Sequence, residues 1–273
     1  MNTYKKCDNI IYDFYEEMKN QSFDALGILD GHDIIHTLGT DSKIIGRIFE
    51  MFTQPILEKI SKKHNLYLKV PEKQTIYPDF TLLDCEESVS KIAIDVKTTY
   101  ITKGHPIKFT LGSYGSYMRN NTKNIAYPYT DYAKHYVIGF IYKRNDAAQE
   151  SKTYPYSARK SIVSPYKDVC YFMQEKYKIA GDKPGSGNTE NIGSFPTHDV
   201  KDLIEGKGPF AVLGQDIFNL YWKYYPKYRA TVIPYKSLPE FLSWYKKQNT
   251  LSLQHPYNID EVKEKLTKYL SHH

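Results

Sequence analysis

Three residues of the sequence have the types and spacing that could do chemistry together: Pro78-Asp79, fifteen residues, then Asp95-Val96-Lys97. Two carboxylates sharing a pocket repel one another unless a cation lies between them. Oxygen ligands in that number, completed by water and a substrate phosphate, suit Mg²⁺. A neighbouring lysine can then stabilise a metal-activated hydroxide or the charge that grows on a phosphorane-like transition state. Pro-Asp followed at some distance by an acid-x-Lys also occurs by chance in charged chains, where it means an ordinary ion pair, so its surroundings have to be weighed with it.

Those surroundings are basic. No acid occurs between Asp95 and Asp131, while Lys97, Lys103, Lys108, Arg119 and Lys123 supply five positive charges, against +6 for the whole chain. Short hydrogen-bonding side chains, among them Thr98, Thr99, Thr110, Ser116 and Asn121, fill the same stretch. A second acid-free run, from Ile217 to Pro239, interleaves Lys223, Lys227, Arg229 and Lys236 with tyrosines. Such runs suit a nucleic-acid backbone, or else form a solvated basic face with tyrosines packed beneath it. A carboxylate pair beside a phosphate-binding surface points to phosphodiester hydrolysis.

The elements that must position these residues follow from periodicity. In Lys91–Lys97 alternation puts Ile92, Ile94 and Val96 on one face of a strand and Ala93, Asp95 and Lys97 on the other. A second strand starts at Asp79, entered through Pro78, and Tyr136–Tyr142 is apolar enough for the middle of a sheet. Helices are expected over residues 4–19 and after Asp41, where Ile45, Phe49, Phe52, Ile56 and Ile60 recur at helical spacing and Pro55 should bend the helix without ending it. Glu50 lies on that helix beside the apolar stripe, and its spacing alone favours a solvent-facing glutamate. Asp30-Gly31 between two apolar runs predicts a hairpin, which argues against a zinc pair at His32 and His36. Residues 143–168 form a polar excursion; a strand near Val169–Phe172 and a strand or turn near Tyr177–Ala180 follow, and Gly181–Asn191 reads as a loop. It lacks the Gly-Lys-Ser/Thr of a phosphate-binding P-loop. Its Gly185-Ser186-Gly187-Asn188-Thr189 core could approach base edges or be a plain surface turn.

The chain of 273 residues and 31.8 kDa has 41% hydrophobic residues and three cysteines, Cys7, Cys85 and Cys170, without a Cys-x-x-Cys. That excludes collagen, coiled coil, disorder and a disulfide framework, and fits a reducing compartment. The first twenty residues mix charges of both signs, so no signal peptide is read, and a cytoplasmic protein is expected. One α/β domain with appended subdomains is preferred to two independent domains.

Several ordered strings, LGTDSKIIGRIFEMF, YPDFTL, KIAIDVKTTY, IKFTLGSY, RNNTKNIAYP, IAGDKPGSGNTENIGS and EGKGPF, resemble type II restriction endonucleases of the PD-(D/E)xK nuclease superfamily over about residues 38–210, and more faintly to Trp222 and Trp244. The resemblance implies a central mixed β-sheet flanked by helices, with residues 20–37 and 143–168 as a small dimerisation subdomain and 38–142 and 169–273 as a DNA-binding and catalytic one. It implies a homodimer that needs Mg²⁺ and cuts double-stranded DNA at GATATC or a closely related palindrome, leaving blunt ends with 5′-phosphates. A DNA methyltransferase is implied in the same system, not as a bound subunit. Carried over by position, Asp79 and Asp95 hold metal, Lys97 is the catalytic lysine, and Glu50 is an accessory acidic residue that joins them as a catalytic and metal-binding carboxylate, which reverses its reading from spacing. Gly185, Ser186, Gly187, Asn188 and Thr189 fall on a major-groove reading loop and Gln74 on a minor-groove loop. Lys43, Thr98, Thr99, Thr110, Ser116, Asn121, Lys123 and Arg229 fall on DNA-backbone or active-site-bordering positions. The chain departs from the family pattern at Lys73 and Thr75, and at Glu190, which puts an acid where DNA is expected. A sequence-independent repair or structure-specific nuclease of the same superfamily, and a non-catalytic DNA-binding protein, are the alternatives.

Overall fold

The computed structural model describes residues 3–185, 190–249 and 258–271. Helix α1 (Thr3–Met18) and helix α2 (Ser42–Lys63) flank a hairpin of β1 (Gly27–Leu29) and β2 (Ile34–Thr37). Asp41 caps α2 by accepting the Lys43 and Ile44 amides at 2.8 and 3.1 Å, and the helix runs on through Pro55. The hairpin turn differs in detail from the expectation: the residue with positive φ is Asp33, at 58°, and not Gly31. The Asp30 carboxylate shapes this turn by accepting the His32 and Ile34 amides, and it also bonds the His36 ring.

Strands β3 (Tyr67–Lys69), β4 (Phe80–Leu83), β5 (Lys91–Tyr100), β6 (Thr110–Ser113) and β7 (Tyr132–Arg144) follow, then β8 (Thr153–Pro155) and β9 (Tyr166–Glu175). The central sheet has the order β3-β4-β5-β7-β9; only β5 and β7 are parallel, in a register that sets Asp95 beside Val137. β5 is bonded on both sides, and its alternation sorts residues between two cores as expected. Ile92, Ile94 and Val96 join Ile10, Phe14, Ile45 and Phe49 under α1 and α2. Ala93 joins Val137, Phe172, Trp222 and Phe241 on the opposite face. The expected mixed sheet flanked by helices is present.

The polar excursion after β7 returns to the hairpin, where β8 completes a separate sheet of order β1-β2-β8. Tyr177–Ala180 was expected as a strand or turn; instead one helical turn, α3 (Lys176–Ile179), leads into β10 (Ala180–Pro184). The expected loop over Gly181–Asn191 is therefore narrower, because β10 and β11 (Asn191–Ser194) pair and add β6 in a third sheet, β10-β11-β6. Backbone bonding here overrides the turn-forming composition. The C-terminal third is helical as predicted: α4 (Val200–Glu205), α5 (Pro209–Leu213), α6 (Gln215–Tyr224), α7 (Leu238–Asn249) and α8 (Ile259–Leu270). Among the described residues no helix is long and apolar enough to cross a membrane.

Candidate active site and nucleic-acid interface

β4 and β5 lie side by side with Phe80 paired to Ile94, so the residue that precedes β4 reaches the end of β5. Asp79 Oδ2 accepts the Val96 amide at 2.7 Å. Lys97 Nζ is 2.8 Å from Asp95 Oδ1 and 3.8 Å from Asp79 Oδ2. Fifteen intervening residues thus close into one ionic cluster because the turn between the strands brings its ends together.

The cluster is tightly but incompletely compensated. Asp95 is 3% exposed, and its buried Oδ2 accepts no hydrogen bond; the Lys176 ammonium stands 3.7 Å away. Burial alone would raise the Asp95 pKa, but Lys97 and Lys176 together hold it below the ordinary value. Asp79 goes the other way: burial pushes it up to about 7 against the pull of Lys97, with Asp95 and Glu50 adding to the rise. Burial would lower Lys97, yet Asp95 and Asp79 outweigh it and keep the ammonium protonated. A buried carboxylate oxygen without a hydrogen bond next to a second carboxylate that resists ionisation is a donor set that fits a hard divalent cation. Glu50 stands apart. It forms an ion pair with Arg47 at 2.6 Å, and no group of three or more His, Cys, Asp or Glu residues suited to a metal occurs among the described residues.

A cleft of about 930 Å³ reaches the cluster at Lys97, and it gathers Lys43, Glu50, Gln74, Lys97, Thr98, Thr99, Thr110 and Gly185 of the residues predicted from sequence. A smaller recess of about 250 Å³, which shares Gln74 and Lys97 with it, is lined by Asp79, Asp95 and Ser116. Gln74 also borders a third hollow with Glu50 and Asp79, which places it at the junction of all three. Asn121, Lys123 and Arg229 line none of these. Asn121 braces a turn, exchanging hydrogen bonds with Thr130 at 3.1 and 3.2 Å, and the other two are exposed. Ser186, Gly187, Asn188 and Thr189 lie outside the described residues.

The basic runs need correction residue by residue. Lys97 faces the carboxylates and Arg119 pairs with Glu190 at 2.9 Å, leaving Lys103, Lys108 and Lys123 exposed from the first run. In the second run Lys223, Lys227, Arg229 and Lys236 are exposed, while Tyr221, Trp222, Tyr225 and Tyr235 are buried in the core. Those aromatics support the basic face from beneath instead of stacking on a ligand.

A family model, restriction endonuclease EcoRV, matches residues 19–246. The chain belongs to the EcoRV family. The type II restriction enzyme EcoRV of Escherichia coli is 44% identical over 239 residues, 86% of this chain and 94% of that protein. The solved structure of the NlaIV restriction endonuclease overlays 94% of this chain and 95% of that one, with a TM-score of 0.42 and 13% identity. This member of the EcoRV family is thus a type II restriction endonuclease.

Sequence reasoning missed the second cation behind the cluster. Lys176 is 2% exposed, and its ammonium lies 3.9 Å from the centre of the Tyr77 ring. Burial lowers its pKa to about 8 despite the pull of Asp95. The Tyr77 hydroxyl meets His135 Nδ1 at 2.8 Å, so an ordered polar layer backs the EcoRV-family site. A lysine following a strand of mixed polarity carries no local sign that it will be buried. Arg47 and Lys183 in the cleft were likewise invisible as site residues, whereas Lys108 belongs to the basic run read from the sequence.

Proposed function

We propose that this endonuclease hydrolyses double-stranded DNA at GATATC or a closely related palindrome, as a Mg²⁺-dependent homodimer that leaves blunt ends with 5′-phosphates. The observation that carries this reading is the meeting of Asp79, Asp95 and Lys97 at a cleft rimmed by Lys43, Thr98, Thr99, Lys108 and Thr110. Asp79 and Asp95, with Glu50 as the accessory acid, are the residues that would hold Mg²⁺. When bound, the ion supplies charge neutralisation and lowers the pKa of a water molecule. Lys97, beside its two carboxylate neighbours, acts as a positive charge and hydrogen-bond donor toward the scissile phosphate. Glu50 sits at the cleft wall as an accessory acid and shares a hollow with Asp79.

Lys43, Thr98, Thr99 and Thr110 hold the DNA backbone along the cleft, with Ser116, Asn121, Lys123 and Arg229 extending that contact beyond it. Gln74, at the junction of the hollows, faces the minor groove, and the connection from Gly185 through Asn188 to Thr189 reads bases in the major groove. Residues 20–37 and 143–168 form the dimerisation subdomain. In support, the sheet β1-β2-β8 is separate from the central one and leaves Ile28 and Leu29 exposed. A two-fold dimer suits a palindrome, one half-site per subunit, and the easily unstacked TA step suits reading through bending. The protein works in the cytoplasm, where a DNA methyltransferase of the same system, not a bound subunit, protects host sites.

Sequencing the ends of plasmid digested in Mg²⁺ tests the whole reading. Blunt ends within one palindrome are expected. Ends scattered without a common sequence, or cutting confined to branched DNA, would replace it with a sequence-independent nuclease.

A further inference from the structure

Glu190 is the acid that departs from the family pattern, and the structure turns it inward. Its carboxylate accepts Arg119 Nη1 at 2.9 Å and the Tyr228 amide at 3.1 Å. Its carbonyl accepts the Tyr114 amide at 2.8 Å, the Gly115 amide at 3.2 Å and the Ser113 hydroxyl at 3.1 Å. Arg119 in turn donates to the Tyr225 carbonyl and lies 5.2 Å from the centre of the Tyr114 ring. Gly115 is required for this seat, since a Cβ there would stand 1.9 Å from Glu190 Oε2. Three segments meet at this one residue: the start of β11, the π-helical turn Tyr114–Met118 that carries Ser116, and the segment after α6 that carries Arg229.

We propose that Glu190 is a positioning residue for DNA binding. Through Arg119 and the Tyr228 amide it fixes the segment bearing Arg229 against the turn bearing Ser116, so that phosphate contacts from both are presented in one register. This rests on the reading of Ser116 and Arg229 as DNA-backbone contacts. Coulomb's law by itself predicts the opposite effect of removing the acid, because a carboxylate near a polyanion repels it and its loss frees Arg119. Charge-assisted hydrogen bonds to a partly buried carboxylate are strong enough for geometry to win.

The test is steady-state cleavage of a short duplex carrying the site by wild type, Glu190→Ala, Glu190→Gln and Gly115→Ala, with thermal melts as a check on folding. Glu190→Ala is expected to raise KM about tenfold with kcat retained, the loss of a charge-assisted pair. The dependence of log affinity on log salt should become shallower by about one phosphate contact. Glu190→Gln, which keeps an acceptor for the Tyr228 amide, should recover part of the affinity, and Gly115→Ala should reproduce the Glu190→Ala defect by displacing the carboxylate. A KM at or below the wild-type value for both Glu190 variants overturns the proposal, and Glu190→Gln decides it if the alanine variant does not fold. A wild type that fails to cut would instead refute the nuclease reading, which keeps the two failures distinct.

Discussion

Two buried aspartate clusters in this molecule have similar ingredients and opposite character. Asp13 on α1 takes Lys63 Nζ and His64 Nε2 at 2.6 Å each, one nitrogen partner per carboxylate oxygen. Burial would raise its pKa, but those two hydrogen bonds outweigh burial and hold it below the ordinary range. The pair Asp79 and Asp95 shares Lys97, leaves Asp95 Oδ2 without a hydrogen bond, and pushes Asp79 up to about 7. The satisfied cluster pins α1 to the end of α2. The unsatisfied one stores a deficit that a cation can relieve, and a carboxylate pair kept in that state marks a place built for binding.

Breaking the site should cost most. Asp95→Ala is expected to lower cleavage by about a thousandfold or more, on the scale of losing a principal transition-state contact. Adding EDTA to wild type should act as severely, with Mg²⁺ restoring activity; wild-type rates for Asp95→Ala in a plasmid assay would refute the site. Next comes the satisfied cluster: Asp13→Ala should leave kcat alone and lower stability by about 1–3 kcal/mol in urea melts, because Lys63 and His64 lose a buried partner.

The sharpest contrast is in pH. Asp79 binds a proton more readily folded than unfolded, so its contribution to stability falls as pH rises from about 4 to about 7. Asp13 is depressed, so its contribution is full above the ordinary carboxylate range and is lost as pH falls through its folded pKa. Urea midpoints in EDTA should therefore show Asp79→Asn more stable than wild type at pH 8 and Asp13→Asn less stable. Equal shifts would erase the distinction between the clusters. The smallest effect is expected at Glu50, whose carboxylate is paired with an exposed arginine: Glu50→Gln should lower kcat about threefold, well short of Asp95→Ala.

Much of the fold was legible because period and burial agree. Ile92, Ile94 and Val96 alternate with Ala93 and Asp95, and a strand bonded on both sides sorts those two sets between two cores. The Asp79 and Asp95 pair was legible because a proline-led strand and its neighbour are adjacent in sequence. Two of the oversights share a cause. The buried Lys176 and the inward Glu190 depend on partners far away along the chain, Asp95 and Arg119, whereas β10 pairs with the nearby β11. Local composition, rich in glycine and charge, describes a loop and a solvated surface there. Long-range pairing decides otherwise.

What the amino-acid order determined by itself is the inventory and its local geometry: which carboxylates stand on strands, which side chains share a face, and how many positive charges lie free of acids. Side-chain alternation and capping act over a few residues, so they can be read directly. Only the tertiary structure decided which charges remain available. Lys97 and Arg119, counted in one basic run, are consumed by Asp95 and Glu190, while the lysine that completes the site comes from the far end of β9. Electrostatic character depends on distance and burial in three dimensions, and neither is a property of the position along the chain.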